Sequence, residues 1–581
     1  MSKLLRGTPS LLALIVAGCG KDRAPFDPRE FQQDELRTAG EIPAREKQPL
    51  PTTLQSPFIP ATGPAATQPA PVPATGPAIG VEPTVRISLR EVVQRAVANN
   101  LEVKVEGYSP AIEQTRVVEA EARFDPTFFT TAQFESRNDP AGGSSSILGD
   151  ALNTGGSEAD IFTLRSGVRQ VLPSGTEVEV RYQVQHNDTF TPASDPFSSD
   201  IEGDFWENEL ALQITQPLLR DFGVETNRAR ILVARNNQRI SLLDFRRQLE
   251  TTISEIEQVY WAQVQAMDDV RVQEELLNDT LATAKLLYDR RFQDVTRVQI
   301  SQANASVEIR RAGLIRARAR VRDLSDELKR RMNDPEIPVT GATLLLPAND
   351  PLMQPVKFTL EDQIATGLEN RLELGQQQLR IDSTYIAARV AKQNLLPQLN
   401  LTGAVSALGV SDAPLSDGDL GSSFENQSDF NHISYAVGLQ FEIPIGNRAA
   451  RAGYRRSRLQ QEQAITQYAA LIDQVAFEIK RSLREVETTW EEMVATRQAV
   501  FANEDALYAL RQREAANEPL TPEFVDRKLN QQERLAEARR SRAAAVSNYN
   551  NAIAQLELAK GTLLRYNNVI MEEAGVQLAK K

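Results

Sequence analysis

The chain has 581 residues, a net charge of −13, 25% charged residues, 6% aromatics, 2 histidines and 1 cysteine. These numbers exclude a disulfide framework and a Cys/His metal cluster. They disfavour histidine acid–base chemistry, since neither His186 nor His432 sits in a catalytic motif, and general nucleic-acid binding. The longest apolar runs fall short of 18 residues, so a membrane role requires a β-barrel or a lipid anchor.

Lys3 and Arg6 precede a short apolar run from Leu11 to Val16, too short to be a folded anchor. It ends in Ala17, Gly18 and Cys19, which resembles a bacterial lipobox; the alternative is a chance cysteine in an ordinary signal peptide. The resemblance implies that residues 1–18 are a signal peptide, that Cys19 carries lipid, and that Gly20 directs the protein to the outer membrane. Residues 20–84 hold 13 prolines and no apolar periodicity, so 19–85 reads as an extended, Pro-rich tether.

Residues 89–134 align with 360–405 at an offset of 271, matching Leu89 with Leu360, Asn99 with Asn370, Leu101-Glu102 with Leu372-Glu373, and Pro126 with Pro397. Each copy reads as helix, helix, proline, alternating strand. A second correspondence pairs the strand that ends at Pro217 with the one that ends at Pro444, each followed by a long helix. Copy one holds extra sequence, in which 161–184 predicts a hairpin about Pro173-Ser174-Gly175, flanked by loops at 138–160 and 186–204. Val178, Val180 and Tyr182 alternate with Glu177, Glu179 and Arg181. That pattern suits either a barrel wall or an extracellular extension with a covered face, and the wall is the favoured reading.

No proline lies between Leu218 and Asp334 or between Ile445 and Glu518. Apolar residues recur every three or four positions, in copy one from Leu242 through Ile253, Ile256 and Tyr260 to Met267, in copy two from Tyr468 through Val475 and Ile479 to Met493. Residues 227–293 and 449–517 therefore read as single helices of roughly 100 Å, a length that suits a stalk or tube rather than a globule. Return helices follow the turns at Gln293-Asp294-Val295-Thr296 and Glu518-Pro519-Leu520-Thr521, with each threonine as N-cap. Short helices at 101–123 and 372–394 would stack end to end on the return helices. The arginines from Arg310 to Arg322 read as a helix surface paired with acids rather than a nucleic-acid patch.

In the order and duplication of these motifs, together with Asn548 to Glu557 and Gly561 to Leu564, residues 86–566 resemble the TolC family of outer-membrane efflux proteins. The resemblance implies an α-dominated chain with a membrane β-barrel segment, a duplicated strand–long-helix–helix repeat, and a trimeric α/β-barrel tunnel. It divides the chain into repeat 1 (86–340), a connector (341–358), repeat 2 (359–566) and a tail (567–581). It further implies a homotrimer in the outer membrane of a Gram-negative-type bacterium, acting as a passive exit duct for efflux or type I secretion. Its partners would be outer-membrane lipid and, at the two tips, a periplasmic adaptor and an inner-membrane pump of the RND or ABC type. It implies no cofactor and no nucleic-acid partner. Both tips lack the family's glycine. The family's pore-narrowing acids correspond here to Phe524 and Arg527, with Glu523 and Asp526 beside them as candidate constriction residues. The rival classes are a scaffolding coiled-coil lipoprotein, which has no use for paired strands in each repeat, and a secreted enzyme, for which no nucleophile elbow, P-loop or zinc motif is present.

Overall fold

The computed structural model describes residues 83–139, 157–191, 201–411, 419–516 and 518–569. The signal peptide, Cys19, nearly all of the tether and most of the tail lie outside them. In the first half, strand β1 (Thr84–Ile87) leads into helices α1 (Leu89–Asn99) and α2 (Leu101–Glu121), then strands β2 (Thr127–Asp139), β3 (Ser157–Val171), β4 (Glu177–Thr191) and β5 (Ile201–Pro217). The long helix α3 (Ala229–Asp289) and the return helix α4 (Arg297–Met332) complete it. The second half holds β6 (Leu344–Pro347), α5 (Leu360–Asn370), α6 (Leu372–Gln393), β7 (Gln398–Val410), the short helix α7 (Leu420–Ser428), β8 (Ile433–Glu442), the long helix α8 (Arg448–Ala515) and the return helix α9 (Pro522–Lys560). Elements α1, α2 and β2 start at 89, 101 and 127, and α5, α6 and β7 start 271 residues later in each case.

Helices α3 and α8 contain 61 and 68 residues, or roughly 90 and 100 Å. Near the strands, α3 packs between α2 and α6, and α8 packs on α6; toward the tips, α3 packs between α4 and α9, and α8 packs on α9. The predicted seam is the packed face: Ile253, Ile256 and Tyr260 are fully buried in α3, as are Val475 and Ile479 in α8. Of the arginine run, Arg310 is buried and donates to Leu529 O (2.9 Å) and Gln532 Oε1 (3.1 Å), while Arg311 and Arg318 pair with Glu308 and Glu274.

The short helices do stack on the return helices. At the α4–α2 joint, Asn100 accepts from the Glu102 and Val103 backbone N–H groups (2.7 and 3.1 Å) and donates to the last-turn carbonyl of Arg331 (2.7 Å). One residue thus caps the start of one helix and the end of another. At the α9–α6 joint, Gly561 closes α9 with φ +70°, and a Cβ there would stand 2.8 Å from Asn370 O, so only glycine fits.

Strands β1 and β6 pair in parallel between Thr84 and Leu344 and between Ile87 and Pro347. From the sequence, Thr84 and Val85 fall in the expected tether, Arg86 and Ile87 at the start of repeat 1, and 344–347 in the expected connector; none reads as a strand, because four residues are too short to show an alternation. They matter to the core: Ile87 and Leu345 pack with Val92, Val93, Ala96 and Tyr260, and the Tyr260 hydroxyl accepts from Ala348 and Asn349 N–H (3.2 and 3.0 Å).

The remaining described strands form one antiparallel sheet in the order β2-β3-β4-β5-β7-β8. The hairpin is therefore an internal part of the sheet, paired to β2 on one side and β5 on the other. It is also longer than expected. Residues 157–160, 186–191 and 201–204, read as loop from their polarity, continue the strands, because the ladder satisfies their backbone groups even where no apolar face needs covering. The turn Leu172–Thr176 closes with Leu172 N–H on Thr176 O (2.7 Å) and docks on the start of the helical body, where Gly223 N–H meets Ser174 O (3.1 Å).

Candidate functional site: a two-faced wall and paired helical tips

Strand alternation and register together sort the sheet into two unlike faces. One carries Phe128, Ala132 and Phe134 from β2, Phe162, Leu164 and Val168 from β3, and Val178, Val180, Tyr182 and Val184 from β4. It continues through Leu210, Leu212 and Ile214 of β5, Leu399, Leu401 and Val405 of β7, and Tyr435, Val437, Leu439 and Phe441 of β8. These side chains are largely uncovered, Tyr435 at 84% and Val437 at 79% exposure. The other face carries Arg165, Glu177, Glu179, Arg181, Gln183, Glu209, Gln213, Asn400, Thr402, Gln440 and Glu442, with Arg165 donating to Gln183 (2.7 Å) and Arg181 paired with Glu209 (3.3 Å). An apolar face of this extent is unfavourable in water and favourable against hydrocarbon, while the polar face requires water. Among the described residues, both edge strands, β2 and β8, lack a partner on their outer side. Five successive antiparallel pairings leave β8 running opposite to β2, the sense in which a neighbouring copy's β2 would pair with it.

At the opposite end of the helices the two tips meet. Thr296 forms a capping box with Gln299, and Thr521 accepts from Phe524 N–H (3.2 Å). Asp294 accepts from Leu520 N–H (2.9 Å) and pairs with Arg290 (3.1 Å), and Gln299 donates to Leu520 O (2.8 Å). Leu520 is 2% exposed and packs with Leu287, Leu510, Phe524 and half-buried Val295. Leu520 and Phe524 thus form the core beneath the tips. Gln293, Thr296, Pro519 and Thr521 are exposed, and Glu518 pairs with Arg513. Glu523 and Arg527 are exposed, and Asp526 accepts from Gln302 and Asn530 (3.1 Å each).

One feature of the first tip lies outside the residues expected from the sequence. Phe292 is 85% exposed and Tyr288 55%, with the Arg291 guanidinium over both rings at 4.4 and 4.2 Å. Two aromatics and an arginine just before a turn were the available signal.

Along α3, three carboxyls are held in poorly solvated places. Burial pushes Glu250 up to about 7, aided by the nearby Glu373 and opposed by Arg371. Burial also raises Glu257 to about 7, opposed by the Asn567 amide (2.6 Å). Asp269 rises to about 6 by burial, opposed by Arg540. All three lie in the packed helical body and none faces the tips.

No protein-family model and no curated protein matches the chain, but solved structures do. The outer membrane protein VceC of Vibrio cholerae superposes with a TM-score of 0.56 at 15% identity, over 81% of this chain and 96% of that one. The Campylobacter jejuni CmeC outer membrane channel gives 0.55 at 15% identity, over 82% and 86%. The open-state MtrE outer membrane channel of Neisseria gonorrhoeae gives 0.54 at 14% identity, over 87% and 98%. The chain has the fold of outer-membrane channels. That fold is the one implied by the sequence's resemblance to the TolC family.

Proposed function

We propose that the chain is one subunit of a homotrimeric outer-membrane duct. The observation that carries this reading is the six-stranded sheet with one largely uncovered apolar face, one charged face and, among the described residues, two unpaired edges of opposite sense. Three copies joined edge to edge make a closed barrel of about eighteen strands, with lipid outside and water inside. The four long helical columns of each copy continue the lumen as a tunnel through the periplasm. On this reading the duct is passive, and Cys19 adds a lipid anchor. The duct receives substrate through an adaptor and an inner-membrane pump of RND or ABC type, in efflux or type I secretion. Residues 86–340 and 359–566 are its two repeats, joined by 341–358. The tip residues Gln293, Asp294, Val295, Thr296, Glu518, Pro519 and Thr521, exposed or half-buried, form the adaptor surface, backed by Leu520. Glu523, Asp526 and Arg527 are the constriction candidates, with Phe524 as their packing support.

Native mass spectrometry of the detergent-extracted protein and conductance across a planar bilayer test this together. The expected results are a trimer and discrete open-channel steps. A stable monomer that leaves the bilayer non-conducting would reject the duct and favour a scaffolding lipoprotein.

A further inference from the structure

Helix α7 occupies a place that the duct reading leaves unexplained. It packs on the apolar face of the sheet, against β5 and β7. Ser423 and Gln427 point into the sheet and are buried. Ser423 Oγ accepts from Asn208 Nδ2 (2.8 Å), Gln427 accepts from the Tyr182 hydroxyl (2.8 Å), and Gln427 Nε2 donates to Ala407 O (3.1 Å). The Phe424 ring stacks on Tyr182 at 6.1 Å and 9°. Gly409 leaves no room for a side chain there, since a Cβ would stand 2.7 Å from the Gln427 nitrogen. Asn208 and Gly409 lie on the apolar face, opposite each other in the register. The helix therefore covers the level at which this face stops being apolar.

That level has a definite height. On β7 the apolar side chains run from Leu399 to Ala407, roughly 27 Å along the strand and about 20 Å across the membrane at a tilt near 40°. The hydrocarbon band of such barrels is about 25 Å tall. Beyond it come Asn208, the His186–Trp206 ring pair (4.4 Å) and the His186–Asp204 contact (2.6 Å). Outward from α7, Phe424 (44%) and Phe430 (56%) are exposed, and so are the carboxylates Glu425 and Asp429. Carboxylates are too costly to hold in hydrocarbon, and uncovered phenyl rings are poorly placed in bulk water; a lipid–water boundary accommodates both.

We propose that α7 is an interfacial helix that binds the lipid headgroup layer at the boundary away from the helical body, and so fixes how deeply the sheet sits in the bilayer. The site rests on the wall reading above. Strands β3, β4 and β5 continue past this boundary for about seven residues, roughly 20 Å, as a rim standing in water.

The test uses the full chain in vesicles of lipids brominated at shallow or deep acyl positions. Phe424→Trp and Phe430→Trp are compared with Val437→Trp, which lies at mid-band, each read as a difference from the parent protein with its 3 tryptophans. Shallow bromines are expected to quench position 424 or 430 at least twofold more than deep ones, and deep bromines to quench position 437 more. If 437 is quenched by lipid while 424 and 430 respond only to aqueous acrylamide, the interfacial assignment is overturned and the wall stands. If 437 is also untouched by lipid, the wall reading itself fails. Should Phe424→Trp not assemble, Phe430→Trp decides, because among the described residues no stacking contact depends on it.

Discussion

Asn100 and Arg371 occupy corresponding places, one residue beyond α1 and α5, yet they hold their joints differently. Asn100 caps α2 and the end of α4 at once, whereas the Arg371 side chain makes no cap on α6; it donates to Ala559 O in the last turn of α9 (3.2 Å) and pairs with Glu478 (2.7 Å). Asn100→Ala should therefore cost about 1–2 kcal/mol. Asn370→Ala, whose amide donates only to Thr366 O within its own helix, should cost no more than about 0.5 kcal/mol. Thermal unfolding in detergent checks both. The buried carboxyls of α3 set a pH dependence. Because Glu250 and Glu257 titrate near 7 when folded and near 4.5 when unfolded, the folded protein holds the extra protons between these values. Its stability falls as pH rises through that window, and the loss is complete above 7. The unfolding temperature should be higher at pH 5 than at pH 8, and Glu250→Gln with Glu257→Gln should flatten the difference. An unchanged slope in the double variant would remove these groups as its source.

Among the elements, β8 offers the cleanest contrast, because its two faces alternate without interruption. Val437→Arg places a charge on the apolar face at mid-band and should cost about 2–4 kcal/mol. Gln440→Arg, on the polar face of the same strand, should be tolerated. The yield of heat-modifiable, membrane-assembled protein reports the difference. At the tips, Phe292→Ser should reduce export at least severalfold and leave the unfolding temperature unchanged, since the ring is bare. Leu520→Asp should instead lower the unfolding temperature, because it buries a charge among Leu287, Leu510 and Phe524. Equal export by the Phe292 variant and the parent would take the first tip out of docking. Much of this was legible in the sequence: 3.6-residue periodicity and the absence of proline located the long helices, and threonine N-caps located the tips. Less legible were features made by tertiary contact. Strands β1 and β6 are too short to alternate. The polar ends of β3, β4 and β5 look like loop until a partner satisfies their backbone. Leu520 looks like a surface residue of a turn until the other tip closes over it.

For the whole molecule, lipidation is the expectation that lies farthest from the described residues. Mass measurement of the mature N-terminal peptide should find Cys19 first and carrying acyl chains, and an unmodified peptide spanning residues 17–21 would refute it. Assembly has a second consequence, which comes from the order of the helices. In each copy a jointed column, α4 on α2, stands beside unbroken α3; a second jointed column, α9 on α6, stands between α3 and unbroken α8. Both joints fall at the level of the small β1–β6 sheet and its core. A rod breaks or bends where all its fibres end together, and here no such level exists. Each joint is splinted by a continuous helix roughly 90–100 Å long, so a load applied at the tips passes to the strands as compression or twist rather than as a hinge motion. The joint level then acts as a stiff collar between the tips and the strands.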